Sequence, residues 1–166
     1  MSRYKGLAFF DIDGVLSNCE WRLPFIENND LDGFYAPENI IKDEPIWQGI
    51  DLLNLFRQQG YKILITSARR ESCREATMEW LKRYGVDFIH PEDIYLRADK
   101  DHRRAFAVKK DMVQEALVRY SVGEVFTHSH YFVDDYLPNC QMVTENFGDE
   151  ITPLMFGVGR VDTQGM

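Results

Sequence analysis

Only three cysteines occur in the 166 residues, Cys19, Cys73 and Cys140, and none lies near another. They form no zinc-like pair, and the expectation is reduced thiols in a cytoplasmic protein. No apolar run approaches the ~18 residues of a membrane span, so no membrane role is expected. The opening Met1-Ser2-Arg3-Tyr4-Lys5 leads directly into an apolar strand, without the apolar stretch and cleavage site of a signal peptide. Positive charge is scarce. Nineteen Lys and Arg against 27 Asp and Glu leave a net charge of −8, which argues against a broad nucleic-acid-coating surface and leaves room for a locally basic pocket. Repeats and low-complexity tracts are absent. So is the Gly-x-x-x-x-Gly-Lys-Ser/Thr phosphate loop, which excludes a P-loop kinase within these residues.

What is present is a globular composition, 45% hydrophobic with eleven Phe, at a length that suits one domain over residues 1–166. The most informative stretch is Leu7-Ala8-Phe9-Phe10-Asp11-Ile12-Asp13-Gly14-Val15. An apolar strand ends in two aspartates spaced by one residue, which places both on the same side of the chain. At roughly 4 Å and an effective dielectric near 20, two carboxylates repel by roughly 4 kcal/mol, so a shared proton or a cation must offset them. Mg2+ with its oxygen ligands suits the need. The competing reading is a solvated turn rich in Asp.

The pattern along the chain predicts an α/β fold with a parallel sheet flanked by helices. Strands are expected at residues 5–10, 61–66, 86–89, from Val125, at 131–133 and at 151–158; helices at 46–59, 72–84 and 107–119. Residues 91–106 read as a polar, basic connection. Residues from about 16 to 46, with Trp21, Pro24, Asn28-Asn29-Asp30, Gly33, Pro37 and Pro45, read as an insertion of short helical pieces, either a small cap over the site or a surface excursion. Asp11 and Asp13, Ser67, and Asp134 with Asp135 each follow an apolar strand, so a parallel sheet would gather them at one edge. Trp47, Phe56 and Trp80 are expected in the core. Trp21, Phe25, Phe34 and Tyr35 either stack on a base or pack the cap down. His128-Ser129-His130 lacks a third metal ligand and is read as a strand-end feature.

Together, Asp11-Ile12-Asp13-Gly14-Val15, Ser67, Lys109 and Val133-Asp134-Asp135 resemble the motifs of the haloacid dehalogenase-like (HAD) phosphatase superfamily. The resemblance implies a Rossmannoid sheet with a small helical cap insertion and a phosphoryl-transfer mechanism. Asp11 would be the nucleophile and form an aspartyl-phosphate. Asp13 would act as general acid and then as base. Mg2+ would be held by Asp11, the backbone carbonyl of Asp13, and Asp134, with Asp135 beside it. Ser67 would hydrogen-bond the phosphoryl group, with Thr66 as competitor, and Lys109 would offset charge, with Lys110 as competitor. Asp135 could instead cap a helix. An Asp at position 13 favours phosphatases over dehalogenases.

A narrower resemblance concerns substrate. Ser67-Ala68-Arg69, then Thr77 and Trp80-Leu81, and the stretch from Leu96 to Lys109 are similar to the phosphatase domain of phage polynucleotide kinase/phosphatases. Ala68 departs from the usual Gly, and Arg104-Ala105 from a common Pro-Asp. That family implies a nucleotide or nucleic-acid 3′-end as substrate, with Arg69, Arg97, Arg103 and Arg104 binding phosphate and sugar. The alternative for the basic run is a solvated loop paired with Asp99 and Asp101. Other functions compatible with the pattern are a 5′-(deoxy)nucleotidase or another small-molecule phosphatase, and an idle partner module for a separate kinase or ligase.

Overall fold

A computed structural model describes residues 4–123 and 125–157. The chain begins with β1 (Leu7–Phe10) and then leaves the sheet for the insertion. There, β2 (Ser17–Asn18) is followed by a 3-10 turn at Glu20–Arg22, α1 (Leu23–Glu27), α2 (Leu31–Phe34) and α3 (Pro37–Ile40). Then β3 (Glu44–Pro45) returns antiparallel to β2. Next come α4 (Trp47–Gln58), β4 (Lys62–Arg70), α5 (Arg74–Arg83), β5 (Ile94–Arg97) and α6 (Ala105–Ser121). The series closes with β6 (His130–Asp134), α7 (Leu137–Phe147) and β7 (Ile151–Met155). The main sheet is parallel in the order β5-β4-β1-β6-β7. After β1 the chain builds outward on one side, then crosses to the other. The crevice at this switch, beyond the strands' C-terminal ends, is where open α/β sheets bind ligands.

Period-two alternation sorts β1 between two cores. Ala8 and Phe10 pack with Ile50 and Leu53 of α4 and with Trp80 and Leu81 of α5. Leu7 and Phe9 face Val108, Met112, Val113 and Ala116 of α6 and Met142 and Val143 of α7. All four β1 residues are fully buried, and burying each large apolar side chain stabilises the fold by about 1.5–3 kcal/mol. The insertion is fixed to this body at several points. The Trp80 indole donates to the Asp43 carbonyl at 2.8 Å, Arg83 donates to the Ile41 carbonyl at 3.0 Å, and the Cys73 thiol donates to the Tyr35 carbonyl at 2.9 Å. No helix among the described residues is long and apolar enough to cross a membrane.

Several expectations need correction. No strand forms at 86–89. Gly85 turns left-handed (φ +83°), the Val86 amide returns to the Leu81 carbonyl at 2.8 Å to finish α5, and Asp87 is exposed. The strand lies instead at Ile94–Arg97, where three consecutive buried residues interrupt an otherwise polar stretch. Val125 is exposed and outside any strand. The last strand ends at Met155, and Val158 falls outside the described residues. Trp47 is 55% exposed, standing edge-on to Tyr84 rather than in the core. Trp80 is fully buried, and Phe56 packs partly buried against the core. His130 lies in β6 with its Nδ1 accepting from the Leu7 amide at 2.8 Å.

Gly49, on α4, carries the turn that follows β1. A Cβ there would sit 1.7 Å from the Val15 carbonyl oxygen, a backbone atom with little freedom to retreat. Gly49→Ala is expected to destabilise the protein by about 1–3 kcal/mol, as overpacking does, read as a lowered midpoint in urea unfolding.

Candidate active site

The end of β1 delivers Asp11 to the centre of the sheet edge. Its amide is held by the Val133 carbonyl at 3.0 Å, so the carboxylate lies beside β6, which ends in Asp134. Gly14 (φ +87°) makes the sharp exit from the strand. A Cβ at this glycine would meet the Asp135 carboxylate oxygen at 1.9 Å, so its absence makes room for that side chain. One carboxylate oxygen from each of Asp11, Asp134 and Asp135 falls within 4.8 Å of the other two. The residue at the N-cap of α7 is Tyr136, one position after Asp135.

Helix α6 turns Lys109 inward along the same face as Val108 and Met112, while Lys110 lies half-buried beside it. The Lys109 ammonium sits 2.6 Å from Asp134 and 3.0 Å from Asp11. Burial opposes its charge, but the Asp11 and Asp134 carboxylates together outweigh burial and hold the group above its ordinary range. Burial, then the facing Asp134 carboxylate, pushes the Asp11 carboxyl well above the usual range, against the pull of Lys109. The three carboxylates offer oxygen donors gathered about one point, a donor set that fits a hard dication, and Mg2+ takes such ligands. Asp134 is also held from α7: Asn139 donates its side-chain amide to both carboxylate oxygens, at 3.1 and 3.2 Å, and the Tyr136 amide donates at 3.0 Å.

The Asp13 carboxylate turns away from this cluster into a ring of charges. It accepts from Arg22 at 2.8 Å and from Arg69 at 2.8 Å. Asp43 closes the ring, accepting from Arg22 at 2.7 and 2.9 Å and from Arg69 at 3.5 Å, with Ser17 and the Trp21 indole as further donors. Burial works against charge on Asp13, but Arg69 and Arg22 overcome it and hold the carboxyl at about 2.

Arg69, expected to bind substrate, lies buried on Asp13 and is not among the residues lining the cavity above Asp11 and Asp13. The strand β4 runs on to Arg70, so Arg69 continues the inward alternation of Ile65 and Ser67 and is fully buried against Asp13 and Thr77. Arg22 and Asp43 went unnoticed in the sequence, because nothing local marks two opposite charges 21 residues apart as partners. The Ser67 hydroxyl accepts from the Arg69 amide at 3.1 Å, which leaves its own hydrogen to donate. The rival Thr66 hydroxyl is buried with no hydrogen-bond partner among the described residues.

Above Asp11 and Asp13 lies a cavity of about 180 Å³. One wall comes from the insertion, with Leu23, Ile26, Leu31, Phe34 and Tyr35. Arg97, Arg103 and Arg104 also line it. Arg97 is oriented by the Ala68 and Asp101 carbonyls, and Arg103 is paired with Asp101 at 2.8 Å and Asp111 at 2.9 Å. Asp99 accepts the Ser72 amide at 3.0 Å and pairs with no arginine among the described residues. Phe34 is buried under the Arg22 guanidinium at 4.5 Å, so it packs the cap down while its neighbour Tyr35 lines the cavity.

The arginine clamp has a stability consequence with a definite sign. The folded-state carboxyl of Asp13 lies below its ordinary value of 3.8, so the ionised clamp stabilises the fold above about pH 4 and is lost as pH falls through about 2. The shift corresponds to about 2 kcal/mol. Urea unfolding of the wild type and Asp13→Asn is expected to show a stability gap that narrows between pH 4 and 2. A gap independent of pH in that window would mean the arginines do not set this carboxyl.

Comparison with known proteins places this arrangement. The sequence model of the polynucleotide kinase PNKP phosphatase domain matches residues 6–136. No curated protein matches the chain in sequence. Among solved structures it is similar to a chain of the Pnkp1/Rnl/Hen1 RNA repair complex, with TM-score 0.69 and 22% identity over 92% of this chain and 43% of that one. A second structure of that complex gives TM-score 0.68 at 22% identity, covering 93% and 47%. The class C acid phosphatase from Bacillus anthracis gives TM-score 0.59 at 20% identity, covering 93% and 67%. At these identities the structural likeness speaks for the fold, and the chain spans less than half the length of the repair-complex chains. The match over residues 6–136 carries the assignment: the chain belongs to the phosphatase-domain family of polynucleotide kinase PNKP, within the HAD-like superfamily.

Proposed function

We propose that this protein is a Mg2+-dependent phosphomonoesterase that removes a 3′-phosphate from a nucleotide or polynucleotide end through an aspartyl-phosphate on Asp11. The observation that carries this reading is the cavity over Asp11 and Asp13. Its apolar cap residues suit a nucleobase and its arginines suit phosphate and sugar oxygens, in the same cavity as the Asp11 and Asp13 carboxylates.

An Asp11 oxygen attacks phosphorus, and the bond from phosphorus to the sugar oxygen breaks. Asp13 gives that oxygen its proton. Asp13 then takes a proton from water, whose oxygen attacks phosphorus and frees Asp11 and inorganic phosphate. The arginine clamp favours the ionised carboxylate that the second step needs. A phosphate dianion brought beside Asp13 raises the carboxyl toward the protonated form that the first step needs. Lys109 offsets charge on Asp11, and Ser67 donates to the phosphoryl group. Asp11, the Asp13 carbonyl and Asp134, with Asp135 beside them, would hold Mg2+, which would supply charge neutralisation for phosphoryl transfer. Catalysis of this kind rests on positioning and electrostatics. A cytoplasmic setting agrees with three buried free cysteines, and the likeness to a repair-complex chain supports the expectation of a separate kinase or ligase partner.

Phosphate release from matched 3′- and 5′-phosphorylated nucleosides and short oligonucleotides tests the reading. Release is expected from 3′ ends with Mg2+, and neither with EDTA nor from Asp11→Asn. A preference for 5′-mononucleotides would move the protein to nucleotide salvage, and no release from any substrate would overturn the nucleotide assignment. Arg104→Ala is expected to raise KM roughly tenfold or more with kcat retained, the scale of a lost hydrogen bond to a charged group.

A further inference from the structure

We infer that Tyr35 contacts the substrate, its hydroxyl donating a hydrogen bond to a sugar oxygen beside the scissile ester. The inference rests on the reading above, in which the leaving group is a nucleoside. Tyr35 directly follows α2 of the insertion and lines the cavity over Asp11 and Asp13.

Two features separate it from an aromatic residue that only packs the cap. The first is how it is held. Its amide donates to the Leu31 carbonyl at 3.0 Å, and its carbonyl accepts the Cys73 thiol at 2.9 Å. The ring stands edge-on to Phe34 with centroids 4.9 Å apart, and the Arg70 guanidinium lies 5.3 Å from its centre. Arg70 is itself paired with Asp32 of α2 at 2.7 Å. Backbone and ring are therefore fixed from both the insertion and β4, while the hydroxyl makes no hydrogen bond among the described residues. A donor set in place before its ligand arrives loses little freedom on binding.

The second feature is which charges the hydroxyl meets. Burial, then the Asp13 carboxylate, pushes it up to about 12 against the pull of Arg97, Arg22 and Arg70, so it stays protonated and able to donate. Those charges belong to the acid–base carboxylate and its surroundings, so the polar tip of Tyr35 is turned to the site. In the proposed reaction Asp13 serves the ester oxygen, whereas Ser67 and Lys109 serve the phosphoryl group. A donor carried by the cap and brought near Asp13 therefore meets the leaving sugar, between the phosphoryl position and the apolar residues that suit a base.

The test is the kinetics of Tyr35→Phe, which keeps the ring and removes the hydroxyl, with a nucleoside 3′-phosphate as substrate and inorganic phosphate as competitive inhibitor. The expected result is a KM raised about three- to tenfold with kcat retained, the scale of one lost neutral hydrogen bond. The inhibition constant for inorganic phosphate, which carries no sugar, should not change. Equal rises in both constants would put the hydroxyl on the phosphoryl group and overturn the inference, and so would no change in either. Thermal melts read the structural role separately: a lowered midpoint with unchanged KM would make the hydroxyl a packing group and overturn it as well. Tyr35→Leu, which loses ring and hydroxyl together, should raise KM at least as far with the phosphate constant again unchanged. Wild-type protein that acts on 5′-mononucleotides alone would overturn the reading beneath, and the same variants measured on that substrate then decide Tyr35 by themselves. No release from either nucleotide would overturn both.

Discussion

Like charge gathered at one edge of a buried sheet is the constraint on which this molecule turns. Asp11, Asp13, Asp134 and Asp135 arrive on the ends of two adjacent strands, and the sheet's interior offers them little water. The chain divides them. Asp11 and Asp134 share Lys109, and Asp135 lies beside them with its carboxylate turned to the same point. Asp13 is drawn out into a neutral ring with Arg22, Arg69 and Asp43. One group of carboxylates is left attractive to a cation, and the other is neutralised by the protein itself. Buried ion pairs offset their desolvation cost only when further hydrogen bonds complete them, and Ser17, the Trp21 indole and Thr77 do so here.

The division also explains the place of the insertion. Its apolar residues form one cavity wall, while its charged residues reach inward to the ring. The apolar wall and the Arg22–Asp43 part of the ring around Asp13 are therefore one piece of chain. Their common anchor is Trp80 of α5, whose indole holds the Asp43 backbone while its ring fills the core.

Much of this was legible from the sequence. Alternation at Leu7–Phe10, the spaced aspartates and the strand-ending Asp134 convey local geometry directly, because strand direction and period fix where such side chains go. Lys109 was marked by the motif resemblance with Lys110 as competitor, and its inward turn beside Val108 and Met112 is seen in α6. Where the reading fell short, the cause was non-local. Ile94–Leu96 is too brief an apolar run to stand out between polar neighbours, and its strand exists because β4 offers it an edge. Trp47 is apolar by composition, yet stands at the start of its helix, where the turn faces solvent. Arg69 reads as a phosphate contact until the length of β4 is known, and Arg22 and Asp43 acquire meaning only once the insertion folds back on itself. Helix α7 carried no recognisable motif, so Asn139 remained invisible.

The paired ends of that insertion have a further consequence. The two-residue ladder between Ser17–Asn18 and Glu44–Pro45 brings entry and exit together. The sheet thus tolerates different lengths of chain between them, since closing a longer loop between fixed ends adds little entropy cost. In that sense the segment is an exchangeable cassette. Arg22 and Asp43, however, both travel inside it, and Arg69 stays behind in β4. Grafting a foreign segment onto this ladder would take Arg22 from Asp13 and leave Arg69 in place. A redesign that reshapes the apolar wall must therefore carry positions 22 and 43 across unchanged, whatever it places at Leu23, Ile26 or Leu31.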